Sequence, residues 1–377
     1  MTIHLPLTGT VELGLPGRRS GLETVPCLSE IDPPQSKRDF TSDAEARWCP
    51  GCGDYAILSA VQSFMPDMGV KRENVVCISG IGCSSRFPYY LDTYGMHSIH
   101  GRALPIATGV ATARPDLSVW VATGDGDALS IGGTHLIHAL RRNVNLTILL
   151  FNNRIYGLTK GQDSPTSPKG KVTKSTPVGS VDTPFNPVSL ALGAEASFVA
   201  RTLDSDRKHL TGIIAEAVAH RGSSLVEIYQ NCPIFNDGAF DVLKDAEQAE
   251  ARIIRLEHGK PIRFGPLGAD GLPGKGVIRG DGCHLEVADV AEVGEDRVLV
   301  HNETAEDPSV QFALSRLDNS VMNHVPVGVF RSVVRRTYDD QVREQVAHAQ
   351  ADGPATDDDL AELLAGSDTW VMSAPGE

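Results

Sequence analysis

The sequence predicts an α/β protein: a mostly parallel sheet with helices on both faces, preceded by an N-terminal arm and followed by a C-terminal α+β extension. Two observations predict it. Short, continuously apolar runs rich in β-branched residues, such as NVVCIS and NLTILLF, read as strands buried on both faces. Amphipathic stretches lie between them, as the crossover helices of a parallel sheet require. In such folds ligands bind at the carboxyl ends of the strands.

Residues 1–45 are rich in proline, glycine and charge and read as an extended arm or partner-wrapping segment. The α/β unit occupies 46–240. A helix over 55–64 is followed by a strand over 74–79, and a small-residue helix over 103–113 precedes the strand LSVWVAT. A helix over 128–141 leads to the strand NLTILLF, and a helix over 207–221 to a strand over 224–229. Residues 241–377 change character. RIIRLEHGKPIRFG reads as a hairpin turning at 258–261, and DRVLVHNE as another strand. TDDDLAELLAGSDTW reads as a capped helix with its acidic residues near the N-terminus, where they are favourable. No chemistry and no internal repeat is legible there, so the extension reads as packing or subunit contact.

The composition limits the function. The chain has 377 residues, 41% hydrophobic and 22% charged, as in soluble globular proteins. No apolar run approaches the roughly 20 residues that span a bilayer. The N-terminus lacks a basic start followed by an apolar core, so no export signal is expected. A net charge of −14 argues against nucleic acid or an anionic membrane as main partner. Seven scattered cysteines suit reduced thiols and metal ligation in the cytoplasm better than a disulfide framework.

The strand LSVWVAT ends in GDGDALSIGG and the next strand in FNNRIYG, with twenty-five residues between Gly126 and Asn152. That gap is one helix plus one strand, so both turns emerge at the same sheet edge. Glycines there let the backbone approach a phosphate, and the following helix points its amides at it. Asp125, the Asn153 side chain and the Ile155 carbonyl are oxygen donors suited to Mg2+, which binds through few protein groups plus phosphates. A lone GDG is a common acidic turn, but GDG and NN at this spacing resemble the thiamine-diphosphate motif. The resemblance implies that Asp125 and Asn153 hold Mg2+ by side chain and Ile155 by backbone. Gly124 and Gly126 would line the diphosphate. Thr159 and Gln162, in YGLTKGQ, are expected at the diphosphate or in the pocket wall. His97, His100 and Arg102 fall near the same edge, Arg102 either holding an anion or supporting the helix start. Asp54 reads as a cap of the helix it opens.

Cys49 and Cys52 in RWCPGCGD precede a helix, Cys83 in SGIGCSSRFP follows one strand, and Cys232 in YQNCPIF follows another. All four lie at element boundaries of one unit, where loops converge. Four thiolates satisfy either a structural zinc or a [4Fe–4S] cluster, and their spacing barely separates the two. Cys77, inside VVCIS, reads as an inert buried thiol. Cys27 and Cys283 read as ordinary thiols.

WCPGCGD, SGIGCSSR, HGRALPIATG, GDGDALSIGG and NNRIYGLTKGQDSPTS together resemble the β subunit of 2-oxoacid:ferredoxin oxidoreductases, most nearly the 2-oxoglutarate branch. The likeness covers about 46–240. It implies that Cys49, Cys52, Cys83 and Cys232 ligate a [4Fe–4S] cluster beside the thiamine, where it accepts electrons one at a time. It also implies coenzyme A as co-substrate, succinyl-CoA and CO2 as products from 2-oxoglutarate, and ferredoxin as electron acceptor. The glutamate that activates the thiamine ring sits on a pyrimidine-binding domain for which this chain has no room. By resemblance that domain and the coenzyme A site belong to a separate α subunit, without which this chain is inactive. Arg86, close after Cys83, is a candidate for gripping a substrate carboxylate through two parallel hydrogen bonds, or for a plain ion pair. Lys160, Lys169, Lys171 and Lys174 read as a solvated loop or as a docking site for an acidic ferredoxin. Other readings are the same chemistry on pyruvate or another 2-oxo acid, a non-redox thiamine decarboxylase or carboligase with structural zinc, and a non-catalytic zinc-stapled module.

Overall fold

The computed structural model describes residues 20–29, 32–282, 284–317, 321–351, 353, 355–367 and 370. Cys283 and the first nineteen residues of the arm lie outside this set. Strands β1 (Val75–Ser79), β2 (Tyr94–His97), β3 (Ser118–Gly124), β4 (Leu146–Asn152), β5 (Phe198–Leu203) and β6 (Ser223–Tyr229) run parallel in the order β2-β1-β3-β4-β6-β5. Helices α1 (Asp54–Phe64), α2 (Phe87–Tyr90), α3 (Ala103–Ala113), α4 (Asp125–Leu129), α5 (Gly133–Arg142), α6 (Pro187–Gly193) and α7 (Arg207–Ala219) connect them.

Successive side chains on a strand face opposite ways, so the sheet builds two cores. Cys77, Trp120, Leu149 and Val226 pack with α1 and α7 on one face. Ile78, Val121, Ile148 and Leu225 pack with α3, α5 and α6 on the other. The described part of the arm lies on its own domain, with Leu22, Val25 and Phe40 buried in the first core.

The sheet does not stop at residue 240. From the extension, α8 (Ala246–Arg252) leads into β7 (Ile253–Leu256), and β8 (Arg263–Leu267), β9 (Pro273–Arg279) and β10 (Leu285–Asp289) form a separate antiparallel sheet. Helices α9 (Val290–Val293) and α10 (Ser309–Ser315) lead to β11 (Val325–Ser332). β11 pairs antiparallel with β5 and parallel with β7, giving eight strands in the order β2-β1-β3-β4-β6-β5-β11-β7. Helix α11 (Tyr338–Gln350) docks on α3, with Arg343 Nη1 donating to the Ala111 carbonyl at 3.0 Å. Helix α12 (Asp357–Ala365) starts at a capping box of Thr356 and Asp359.

Three sequence readings need correction, and two strands went unread. The turn at 257–260 forms, but its two strands diverge: β7 joins the large sheet and β8 the small one, so there is no hairpin. DRVLVHNE makes only isolated bridges, at Val298 and Val300. The helix over 128–141 is two helices, α4 ending at Leu129 and α5 starting at Gly133, and the turn between them needs a glycine at 132, where a Cβ would meet the Asp127 carbonyl oxygen at 2.5 Å. β2 and β5 had no apolar run to mark them: YGMH is exposed throughout, and FVARTL buries an arginine. No helix among the described residues is long and apolar enough to cross a membrane.

Candidate active site

The register aligns Gly124 with Phe151 and Asn152 with Tyr229, so the GDG turn, the paired asparagines and the Cys232 loop leave the sheet at one edge. Asp125 opens α4 and is 2% exposed. Ser164 Oγ at 2.5 Å and Thr166 Oγ1 at 2.6 Å both donate to its Oδ2. Burial pushes its carboxyl above the usual range, and these hydroxyls oppose the shift. Neither hydroxyl carries charge, so the carboxylate is suited to a cation.

Asn152 is held by its neighbours: its Nδ2 donates to Glu227 Oε1 at 2.7 Å, and Thr166 Oγ1 lies 2.9 Å from its Oδ1. Asn153 Oδ1 accepts from the Ile155 amide at 3.2 Å. Between them Arg154 is left-handed, with φ of 57°. Its guanidinium sits 5.3 Å from the Tyr229 ring centre and 5.2 Å from that of Phe240, stacking that offsets the backbone cost. Gly126 has a steric reason distinct from phosphate approach. A Cβ there would lie 2.2 Å from Tyr156 Cε1, whose hydroxyl donates to the Gly126 carbonyl at 2.9 Å. Thr159 and Gln162 bond each other on the outer loop, with Gln162 Nε2 donating to the Thr159 carbonyl at 2.7 Å.

Asp127, the fourth letter of GDGD, is a hub the sequence reading missed. Its carboxylate accepts from the Ile81 amide at 3.0 Å, the Gly101 amide at 2.8 Å and Thr123 Oγ1 at 2.9 Å. His100 Nδ1 lies 2.5 Å away. One buried carboxylate thereby gathers the loops after β1, β2 and β3. His97 bonds instead to Ser79 Oγ at 2.9 Å, and Arg102 precedes α3, its Nη1 donating to the His100 carbonyl at 3.3 Å.

The four candidate cysteines line one hollow of about 480 Å3 together with Asn153. Trp48 Nε1 donates to the Cys83 carbonyl at 2.8 Å, joining the first two cysteine segments. The Gly53 amide donates to the Asn231 carbonyl at 3.1 Å, and Gln230 Nε2 reaches Cys52 Sγ at 3.2 Å, joining the first and third. A Cβ on Gly157 would stand 3.6 Å from both Cys83 Sγ and Cys232 Sγ. Burial pushes the Cys52 thiol up and the Cys83 thiol up to about 12, with Asp54 and the neighbouring cysteines adding to it. Cys77 is buried inside β1, and Cys27 is exposed.

Asp54 is not a cap. Gly53 occupies that position without a side-chain bond, and both Asp54 oxygens are buried without an N–H or hydroxyl partner. It lines the thiol hollow, and burial pushes its carboxyl up to about 7. Arg86 lines the hollow too, its Nη1 donating to the Arg47 carbonyl at 2.9 Å. Of the four loop lysines, Lys160, Lys169 and Lys174 are exposed, whereas Lys171 is half-buried.

This sheet, with its acidic turn and asparagine turn at one edge, defines a thiamine-diphosphate-binding protein. Residues 80–228 match the family described as thiamine pyrophosphate enzyme, C-terminal TPP binding domain. The 2-oxoglutarate oxidoreductase subunit KorB of Mycobacterium tuberculosis is 60% identical over 97% of this chain and 95% of its own. The 2-oxoacid:ferredoxin oxidoreductase subunit beta of Saccharolobus solfataricus is 39% identical over 72% of this chain and 88% of its own. A solved 2-oxoglutarate:ferredoxin oxidoreductase from Magnetococcus marinus, with 2-oxoglutarate, coenzyme A and succinyl-CoA bound, superposes with a TM-score of 0.70 at 31% identity. That match covers 91% of this chain and 100% of the other. The chain belongs to the β subunits of the 2-oxoacid:ferredoxin oxidoreductases, in their 2-oxoglutarate branch.

Proposed function

We propose that this β subunit, assembled with its α subunit, oxidatively decarboxylates 2-oxoglutarate with coenzyme A to succinyl-CoA and CO2. Electrons leave through a [4Fe–4S] cluster on Cys49, Cys52, Cys83 and Cys232 to a ferredoxin. The observation that carries the reading is that these four thiols, from three chain segments, ring one hollow that also contains Asn153. A single zinc needs four donors about 2.0–2.3 Å from one point. The hollow that the four thiols line measures about 480 Å3, roomier than one zinc ion needs, and supports the larger group.

The donor set at the diphosphate turn fits Mg2+: a buried carboxylate, Asp125, beside an amide and a carbonyl. Asp125 and Asn153 hold the ion by side chain and Ile155 by backbone, while Gly124 and Gly126 line the diphosphate and Thr159 and Gln162 the outer wall. When bound, thiamine diphosphate supplies a nucleophilic carbon for the 2-oxo group, and the cluster supplies one-electron acceptance. Arg86, expected at a substrate carboxylate, has a position among the thiols that supports a counter-charge for them instead. The described cysteines are free, which supports a reducing compartment such as the cytoplasm.

The test is anaerobic co-expression with the α subunit, assay of iron, sulfide and thiamine, and turnover of a panel of 2-oxo acids with ferredoxin and coenzyme A. A brown protein with four iron atoms per β chain and highest kcat/KM on 2-oxoglutarate is expected. Colourless protein with stoichiometric zinc would overturn the redox reading, and preference for pyruvate would overturn the substrate.

A further inference from the structure

Lys171 is turned inward by its own loop. The Gly170 amide donates to the Ser180 carbonyl at 2.7 Å, and the Ser180 amide to the Lys171 carbonyl at 2.9 Å. Thr176 Oγ1 also donates to the Lys171 carbonyl, at 3.1 Å. So held, the Lys171 ammonium meets Asn236 Oδ1. Asn236 in turn donates its Nδ2 to the Asn153 carbonyl at 2.7 Å and its amide to the Cys232 carbonyl at 3.0 Å. One asparagine therefore touches both the turn of the diphosphate motif and the loop of the fourth cysteine, and a lysine sits on it. Burial is the main influence on the Lys171 ammonium, lowering its pKa, and Arg154 acts the same way. Cys232 and Asp125 pull in the opposite direction.

We propose that Lys171 and Asn236 are a positioning pair that couples the diphosphate site to the iron–sulfur cluster; this rests on the cluster reading above. Asn236 fixes the backbone of Asn153 against the Cys232 loop. Through Asn236, Lys171 holds a positive charge next to the backbone of Asn153 and Cys232, the residues that would hold the metal–diphosphate assembly and the thiolate-ligated cluster. Net charge beside a cluster sets its potential, and a nearby cation favours the reduced, more negative form. The pair thereby keeps the cluster a willing acceptor of electrons released at the thiamine, and keeps the two groups at fixed separation. This assigns Lys171 a duty at the site and leaves any docking of ferredoxin to the exposed lysines.

The experiment uses the anaerobic αβ complex. Lys171→Met is expected to retain iron and sulfide while its cluster becomes harder to reduce by about tenfold, or about 59 mV for one electron, in a redox titration followed by electron paramagnetic resonance. Lys171→Arg should stay near the parent potential. Asn236→Ala should weaken thiamine-diphosphate binding about tenfold in equilibrium dialysis, and shift the potential the same way because the lysine loses its anchor. Should Lys171→Met fail to assemble, Lys171→Gln reads the same potential. A full complement of iron with unchanged potential in the lysine variant and unchanged thiamine affinity in the asparagine variant would overturn the inference alone. Zinc in place of iron and sulfide in the parent complex would overturn the cluster reading, and this inference with it.

Discussion

A Cβ at Gly53 would lie 1.9 Å from Asp204 Oδ2 and 3.0 Å from Gln230 Cγ, so alanine there forces the start of α1 away from the residues just past β5 and β6. Gly53→Ala is expected to cost about 1–3 kcal/mol of stability, as overpacking does, and to lower the iron bound per chain because Cys52 moves with the helix. Chemical denaturation and iron assay of the same preparation measure both. Arg86→Leu tests the neighbouring side chain. A counter-charge for thiolates serves every substrate, so kcat/KM should fall by the same factor on 2-oxoglutarate and pyruvate. A loss confined to 2-oxoglutarate would return Arg86 to gripping a substrate carboxylate, namely the second one of 2-oxoglutarate, which pyruvate lacks. At this scale the sequence was legible where chemistry is written in consecutive letters. GDG, NN and the four cysteines could be picked out, and the structure brings them to one edge. Asp54 was misread because a helix-opening aspartate looks alike whether it caps or faces a pocket. Asp127 went unnoticed because its partners, at Ile81, Gly101 and Thr123, are distant in sequence.

Helix α7 is fastened at both ends by neutral histidines. His209, in its first turn, pairs with Thr202 Oγ1 at 2.8 Å, and His220, just past its end, with Ser197 Oγ at 2.7 Å. Ser197 donates to Asn143 Oδ1 at 2.5 Å, so His220 Nε2 must carry the hydrogen it shares with Ser197. Burial pulls both rings down to about 4 from 6.5. Their folded forms bind protons less readily than the unfolded chain, so the stability they contribute is complete above pH 6.5. It is lost as the pH falls towards 4. The urea midpoint should drop between pH 7 and pH 5, and His220→Gln should flatten that slope. Strands show why part of the fold was hidden. β3 and β4 are buried on both faces and read as apolar runs, whereas β2 is exposed and β5 carries Arg201 inward. A strand that buries a paired charge has no hydrophobic signature, because its reason for burial lies on another strand.

That other strand is β6: Arg201 Nε donates to Glu227 Oε2 at 2.7 Å, with both side chains almost wholly enclosed. Arg201 also reaches the Pro326 carbonyl of β11 at 3.4 Å, and Glu227 accepts from Asn152 of β4. Four neighbouring strands thus meet at one ion pair, which links the extension to the edge of the active site. Arg201→Met is expected to cost about 3–5 kcal/mol, because Glu227 keeps a buried charge without its partner, and the Arg201→Met/Glu227→Met double variant should recover most of it. Denaturant midpoints of the single and double variants decide this. The extension read as mere packing because no local pattern announces β11, whose place depends on β5 more than a hundred residues upstream. That distance matters on the ribosome. The six parallel strands have all been made by residue 229, yet the free edge of β5 waits for β11 at 325–332. At about 5–20 residues per second the nascent chain carries that open edge for on the order of ten seconds. Throughout that interval an unpaired strand invites pairing with another chain. Synthesis of this subunit should therefore depend on chaperone supply more than its finished stability suggests, and a message truncated before β11 should yield inclusion bodies where the full-length message yields dispersed protein.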